Sequence, residues 1–256
     1  MRAMTNATGV PALEIDGLRK VFGDHVAVDH VALSVPAGSC FGMVGVNGAG
    51  KTTLLSMATG LLRPDAGTAR VFGVDVWTDA PRATALLGVL PDGLGMPERL
   101  TGEEVLTYLG LLRGLTEPVV RERRGELLDA LELPHGRERL VVEYSTGMRK
   151  KLGLAVALLH GPRLLVLDEP LEAVDPVSAR TIRRILADFV GGGGSVVISS
   201  HVMALVEQIC DHVAVVDEGR LLVAGPLDEV RAGASLEERF TSLVGLTTEP
   251  VGLSWL

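Results

Sequence analysis

Apolar residues in this chain fall into short runs separated by turns rich in glycine, proline and aspartate. Leu13 to Val21 and His25 to Val35 read as strands joined by a Phe22-Gly23-Asp24 turn. Cys40 to Val44 is an uncharged run fit for a buried strand, and the glycine-rich stretch Gly45 to Gly50 follows it. Leu54 to Leu62 then reads as a helix, Thr68 to Phe72 as a strand, and Leu86 to Leu90 as an apolar run ending at Pro91. From Pro91 to about Pro162 the period changes. Val105, Leu106, Leu109 and Leu112 recur at helical spacing, as do Leu127, Leu128 and Leu131, so this block reads as helical and separate from the sheet. Strand patterns return at Leu164 to Leu167, Ser195 to Ser199 and Val213 to Val216, with helices at Pro176 to Phe189 and Val202 to Cys210. Strand and helix in alternation predict an α/β fold with a mostly parallel sheet. Beyond Gly225, Leu227 to Arg231 and Leu236 to Leu243 read as short helices of a C-terminal tail, 226–256.

Composition tests this picture for a membrane span. The chain has 256 residues, 47% of them hydrophobic and 4% aromatic, and a mean hydropathy of +0.33. A spanning helix needs about 20 predominantly apolar residues. His30 to Gly50 lacks Asp, Glu, Lys and Arg but holds Pro36, Asn47 and five glycines, and Phe189 to Val206 opens on Gly191 to Gly194. Neither reads as a lipid-exposed helix. The first residues carry no apolar core of a secretory signal. Cys40 and Cys210 stand far apart without a metal-spaced neighbour and read as buried, reduced thiols. A net charge of −8 argues against nucleic acid as a partner, since backbone binding needs a basic surface.

Three segments carry chemistry. Gly45-Val46-Asn47-Gly48-Ala49-Gly50-Lys51-Thr52 fits G-x-x-x-x-G-K-[ST] between a strand and a helix, the P-loop in its expected context. Glycines let successive N–H groups curl round an anion, and the helix opening at Gly50 adds its positive end. Lys51 can reach the β and γ phosphates, and the Thr52 hydroxyl can hold Mg²⁺. Leu164 to Leu167 bury a strand from whose end Asp168 emerges as a second metal position, with Glu169 placed to orient or deprotonate water. Tyr144 to Met148 precedes a helix that Ser145 or Thr146 can cap. Arg149, Lys150 and Lys151 oppose that helix dipole, which makes better sense if an anion docks at this end. His25, His30, His135, His160 and His212 carry no partner pattern and read as structural or solvated. His201 ends a core strand on the edge that carries the P-loop and Asp168.

These residues together resemble the ATP-binding subunit of an ABC transporter, over about Leu13 to Gly225. Gly45 to Thr53 looks like the family's Walker A, and Leu164 to Glu169 like its Walker B with the catalytic glutamate. Ser145 to Gly147 looks like the signature loop, Ala173-Val174-Asp175 falls at the D-loop, His201 at the switch histidine, and Phe22 where an aromatic ring stacks on adenine. The resemblance implies a P-loop core at 11–225 with a small antiparallel β subdomain and a helical subdomain inserted at about 91–162. It implies ATP and Mg²⁺ as cofactors, with Asn47, Gly48, Ala49, Gly50, Lys51, Thr52 and Thr53 on the phosphates and Thr52 and Asp168 on the metal. It also implies Glu169, His201 and Lys51 as the catalytic set. Two subunits, identical or closely related, would pack head to tail, with Ser145, Gly147 and Asp175 of one meeting the nucleotide of the other. A separate membrane-spanning subunit would be driven from the cytoplasmic face, where this chain would lie peripherally.

The pattern departs from the family in three places. Thr146 and Met148 replace a glycine and a glutamine in the signature, Leu171 to Val174 differ from the usual D-loop, and Asp92 stands at the Q-loop glutamine, where it can approach Mg²⁺ or its water. These departures bear on hydrolysis and coupling rather than on nucleotide binding, and they look like those of exporter-type subunits. Two other functions stay open. One is a nucleotide-gated module with little hydrolysis, against which Glu169 and His201 speak. The other is a non-transport ABC ATPase, a class that usually carries tandem ATPase domains or a long coiled coil.

Overall fold

The computed structural model describes residues 9–93, 95–136 and 139–245. Strand β1 (Leu13–Phe22) turns at Gly23 into antiparallel β2 (His25–Val35). Strand β3 (Cys40–Val44), buried throughout, delivers the chain to helix α1 (Lys51–Ala58). The helix starts three residues ahead of the expected Leu54, because left-handed Gly50 at φ 96° turns the loop directly into it. It ends before Gly60, whose φ of 79° closes a turn. Strands β4 (Ala66–Val71) and β5 (Val74–Asp75) complete a four-stranded sheet in the order β2-β1-β4-β5. Helix α2 (Ala80–Leu86) leaves no apolar stripe to read, since it buries only Ala83.

The second sheet is the frame of the molecule. Strand β6 (Leu87–Leu90) leads into α3 (Gly102–Leu112), α4 (Glu117–Ala130) and α5 (Thr146–Leu158). A Thr101/Glu104 capping box fixes the start of α3. Strand β7 (Leu164–Leu167), α6 (Pro176–Gly191), β8 (Ser195–Ser200), α7 (Met203–Ile209), β9 (His212–Asp217) and β10 (Arg220–Pro226) follow. The order is β10-β9-β3-β8-β7-β6, parallel except for antiparallel β10. Helices α8 (Leu227–Arg231) and α9 (Leu236–Val244) form the described part of the tail, and 246–256 lie outside the described residues. Among the described residues no helix is long and apolar enough to cross a membrane.

Two apolar cores sandwich this sheet. One joins it to the antiparallel sheet through Leu13, Phe41, Met43, Leu54 and Val166. The other takes Val44, Leu165 and Ile198 together with Leu106, Leu128 and Leu152 of the helical block and Leu236 and Phe240 of the tail. The block at 91–162 is therefore helical as expected, but its apolar face is continuous with the core under the sheet rather than separate from it. Close approach explains this. A Cβ on Gly88 would meet the Ala157 carbonyl at 2.3 Å, so α5 lies almost on the backbone of β6. Cys40 and Cys210, remote in sequence, pack with their sulfurs 3.7 Å apart as free buried thiols. The hydrogen bond to Cys40, and then burial, push the Cys210 thiol up.

His160, in the turn between α5 and β7, is an acid-sensitive part of this packing. Its Nε2–H donates to the Leu87 carbonyl at 2.8 Å, while buried Nδ1 has no partner. Burial, and then the charge of Arg113, lower its pKa from 6.5 to about 4. A depressed histidine pKa means that the unfolded chain binds more protons between the two values, so stability falls as pH drops from 6.5 toward about 4. Replacing His160 by Gln, which keeps a donor for Leu87, is expected to reduce the loss of urea midpoint across that window. An unchanged loss would show that His160 stays uncoupled from acid unfolding.

Candidate functional site

Parallel register aligns the carboxyl ends of three central strands. Val44 pairs with Ser200, and Ile198 with Leu167. The phosphate loop, His201 and the Asp168-Glu169 pair therefore leave the sheet on one edge, the edge at which open α/β sheets bind ligands. An open cavity of about 440 Å³ lies there. Its lining includes Phe22, Asn47, Gly48, Ala49, Gly50, Lys51, Thr52, Thr53, Asp92 and Glu169.

The loop is shaped by close backbone contacts. A Cβ on Gly45 would stand 2.2 Å from the Val216 carbonyl, and one on Gly50 would stand 2.4 Å from the Ala27 carbonyl. The loop is thus clamped between β9 and β2, and only glycine fits these positions. With Gly50 as N-cap, α1 opens without a side-chain cap. Its first N–H groups then remain for an anion. Lys51 is 6% exposed, folds back to donate to the Gly45 carbonyl at 2.8 Å, and lies 3.7 Å from Glu169 Oε1. Phe22 is half exposed on the opposite wall, with Lys20 Nζ 5.6 Å from its ring centre.

The acidic pair is built from β7 and β8 together. Asp168 is buried, its N–H donating to the Leu90 carbonyl at 2.8 Å. The Ser199 hydroxyl donates to Asp168 Oδ1 and accepts from the Glu169 N–H at 2.8 Å. Glu169 takes a left-handed backbone at φ 45°. His201 Nδ1 lies 3.1 Å from Glu169 Oε2, close enough to pair when protonated, although the angle makes no hydrogen bond. Asp92 is half exposed in the turn after β6, with Oδ1 3.5 Å from Lys150 Nζ.

Mg²⁺ and a nucleoside triphosphate fit these groups. No cluster of three metal-ligating side chains gathers among the described residues. Mg²⁺ suits such a site, since it takes one or two protein oxygens and fills its shell with phosphate and water. The exposed Thr52 hydroxyl and the Asp92 carboxylate at the cavity wall could supply such oxygens, and Asp168, buried at the end of β7, is not among the residues that line the cavity. The loop N–H groups and Lys51 match the phosphates, and Phe22 offers a ring for a base.

Ser145, Gly147 and Asp175 are not in the cavity lining. Ser145, exposed, caps α5 by accepting from the Met148 N–H at 3.2 Å. Asp175 caps α6, accepting from the Val177 and Ser178 N–H groups, and the Ser178 bond leads the lowering of its pKa. Gly147 is packed so closely on α6 that a Cβ would come within 2.8 Å of both Asp175 Oδ2 and Ser178 Oγ. The signature-like and D-loop-like segments thus form one surface. The cations after Ser145 turn to groups elsewhere in the fold. Arg149 donates to the Val142 carbonyl, Lys150 to the Glu169 carbonyl, and Lys151 lies 3.9 Å from Glu132. Each of the three cations thus has a partner within the chain.

Several site residues have no sequence motif of their own. His25 and Glu172 line the cavity. Ser199 reads in the sequence as one more strand residue. Its signal is a serine buried at the carboxyl end of a strand beside an acidic pair, and it appears only once β8 is paired with β7.

Residues 28–172 match the family described as ABC transporter. The chain is 39% identical over 227 residues to the daunorubicin/doxorubicin resistance ATP-binding protein of Streptomyces peucetius, covering 89% of this chain and 69% of that protein. It is 34% identical over 215 residues to the bacitracin transport ATP-binding protein of Bacillus licheniformis, covering 84% and 69%. A solved structure described as an ATP binding subunit of an ABC transporter superposes with a TM-score of 0.83 at 27% identity, over 91% of this chain and 99% of that one. With the phosphate loop, the acidic pair and the two-sheet fold in their places, the chain belongs to the ABC transporter family, as one of its ATP-binding subunits.

Proposed function

We propose that this chain binds and hydrolyses ATP to power transport through a separate membrane-spanning subunit. The observation that carries the reading is the meeting of Lys51, Glu169 and His201 beside the phosphate loop, with Glu169 3.7 Å from Lys51 and 3.1 Å from His201. The loop amides and Lys51 would hold the phosphates, and Asn47 to Thr53 would line them. Phe22 would stack on the base. Thr52 and Asp168, with Asp92 close by, would hold Mg²⁺, which when bound neutralises phosphate charge. Glu169 would orient an attacking water and take its proton. His201, beside the same carboxylate, would donate to the terminal phosphate. Lys51 must leave the Gly45 carbonyl and Glu169 to meet a phosphate, and that exchange frees the carboxylate for water.

Exposure of Ser145 and Asp175 on one surface outside the cavity supports a head-to-tail pair with an identical or related subunit, in which these residues and Gly147 face the partner's nucleotide. The exposed side chains of Tyr108, Leu111 and Leu112 on α3 support contact of the helical block with the membrane subunit. With that contact the chain would lie peripherally at the cytoplasmic face. The names of the relatives, drug resistance and antibiotic transport among them, support the exporter type. A net charge of −8 supports no role for nucleic acid.

Replacing Lys51 by Ala is expected to abolish tight ATP binding in titration calorimetry, and parental affinity would remove Lys51 from the phosphate site. Replacing Glu169 by Gln should lower turnover by about a hundredfold or more. That variant should still form an ATP-dependent dimer, seen by size exclusion with and without Mg-ATP. Undiminished turnover would rule Glu169 out as the base.

A further inference from the structure

Glu169 stands in left-handed backbone, a region that non-glycine residues seldom occupy, so its peptide groups must be held by their surroundings. One side is held by the sheet, where the Glu169 N–H donates to Ser199 Oγ at 2.8 Å. The other side is held from the helical block. The Glu169 carbonyl accepts from Lys150 Nζ at 2.8 Å and, more weakly, from the Glu172 N–H at 3.3 Å.

Lys150 belongs neither to the phosphate loop nor to the sheet. It lies near the start of α5, five residues after Ser145, and its side chain is 15% exposed. The same ammonium lies 3.5 Å from Asp92 Oδ1, and Asp92 lines the nucleotide cavity. One partly buried cation thus joins α5, the turn after β6 and the main chain of Glu169. Its two neighbours do otherwise. Arg149 reaches the Val142 carbonyl, and Lys151 lies toward Glu132. Of these three cations, only Lys150 touches the site.

We propose that Lys150 is a positioning residue that holds the Glu169 main chain from α5, with Asp92 steadying its ammonium from the cavity side. The inference rests on the reading of Glu169 as the group that activates water. A charged donor makes a stronger hydrogen bond to a carbonyl than a neutral one, and geometry errors near 1 Å at a reacting group are felt strongly in rate. Any shift of α5 against the sheet moves the ammonium and, through the carbonyl, the carboxylate that faces Lys51 and His201. The position of the helical block is thereby translated into the position of the Glu169 side chain. Lys150 is not among the residues that line the nucleotide cavity, so its loss is felt in turnover and not in nucleotide affinity.

The test compares the full-length parent with Lys150→Met, which keeps length without charge, and Lys150→Arg, which keeps charge. Steady-state ATPase rates are set beside equilibrium binding of a fluorescent ATP analogue and thermal melting. Lys150→Met is expected to lower kcat by about ten- to a hundredfold while affinity and melting stay near the parent, and Lys150→Arg to recover most of the rate. If the Met variant loses its cooperative melt, Lys150→Gln replaces it as the uncharged form. A kcat within about twofold of the parent in the uncharged variant would overturn the proposal. So would an affinity loss that matches the rate loss, or an Arg variant as slow as the uncharged one. A parent that binds ATP without turning it over would instead overturn the hydrolytic reading, and this inference with it.

Discussion

Parallel pairing of β3, β8 and β7 is the constraint on which everything else depends. In parallel strands the carboxyl ends lie together by construction. Val44 beside Ser200, and Ile198 beside Leu167, put three departing segments within reach of one another. The phosphate loop leaves from one strand, His201 from the next, and Asp168-Glu169 from the third. Such a sheet must be covered on both faces. The antiparallel sheet and α1 cover one face, and α5, α6 and α7 the other, so the site's edge is left as the open face of an otherwise sealed layer.

That edge concentrates polar groups in a poor place for them. Lys51, Asp168, Glu169 and Ser199 are all buried. Isolated charges at such depth are strongly unfavourable, and here each lies close to a partner. Ser199 serves Asp168 and Glu169 at once, Lys51 turns its ammonium to the loop's own carbonyls, and the Glu169 carboxylate lies between Lys51 and His201. An incoming triphosphate competes for an ammonium that already has partners, and every bond it takes from Lys51 alters the surroundings of Glu169. On the proposed reading, binding and the readiness of the carboxylate would be coupled by that exchange.

Legibility in the sequence follows the range of the interaction. The P-loop, β7 and its acidic pair, and α6 behind Asp175 are local patterns, and they stand where the residues predict. Strand β10 escapes because its half-buried and exposed positions alternate while Leu221, Leu222, Val223 and Ala224 are all apolar, so the sequence carries no period of two. Helix α2 escapes because it buries a single alanine. Ser199 and Lys150 escape for a different reason. A serine in a strand and a lysine in a helix carry no signature until the sheet sets β8 against β7 and α5 against the turn after β6. The partners of the cations after Ser145 escape for the same reason. The charge of these cations can be counted in the sequence, but the carbonyls and carboxylates that receive them come from elsewhere in the fold.

The same distinction settles the chain's apolar excess. His30 to Gly50, which comes nearest to a span in composition, becomes the end of β2, all of β3 and the phosphate loop. Its lack of charge reflects a strand with both faces covered, each fully buried aliphatic side chain contributing about 1.5–3 kcal/mol. Apolar residues that the core does not need are a different matter. Tyr108, Leu111 and Leu112 on α3 are exposed. Exposed side chains of this size that cluster on one helix mark a surface that meets a partner. Lys150 lies near the start of α5, which packs against α3 in the same block. On the proposed reading, a load applied at α3 would reach the main chain of Glu169 through the packed helices and the Lys150 hydrogen bond. This route joins a surface suited to a membrane partner to the carboxylate at the phosphate loop.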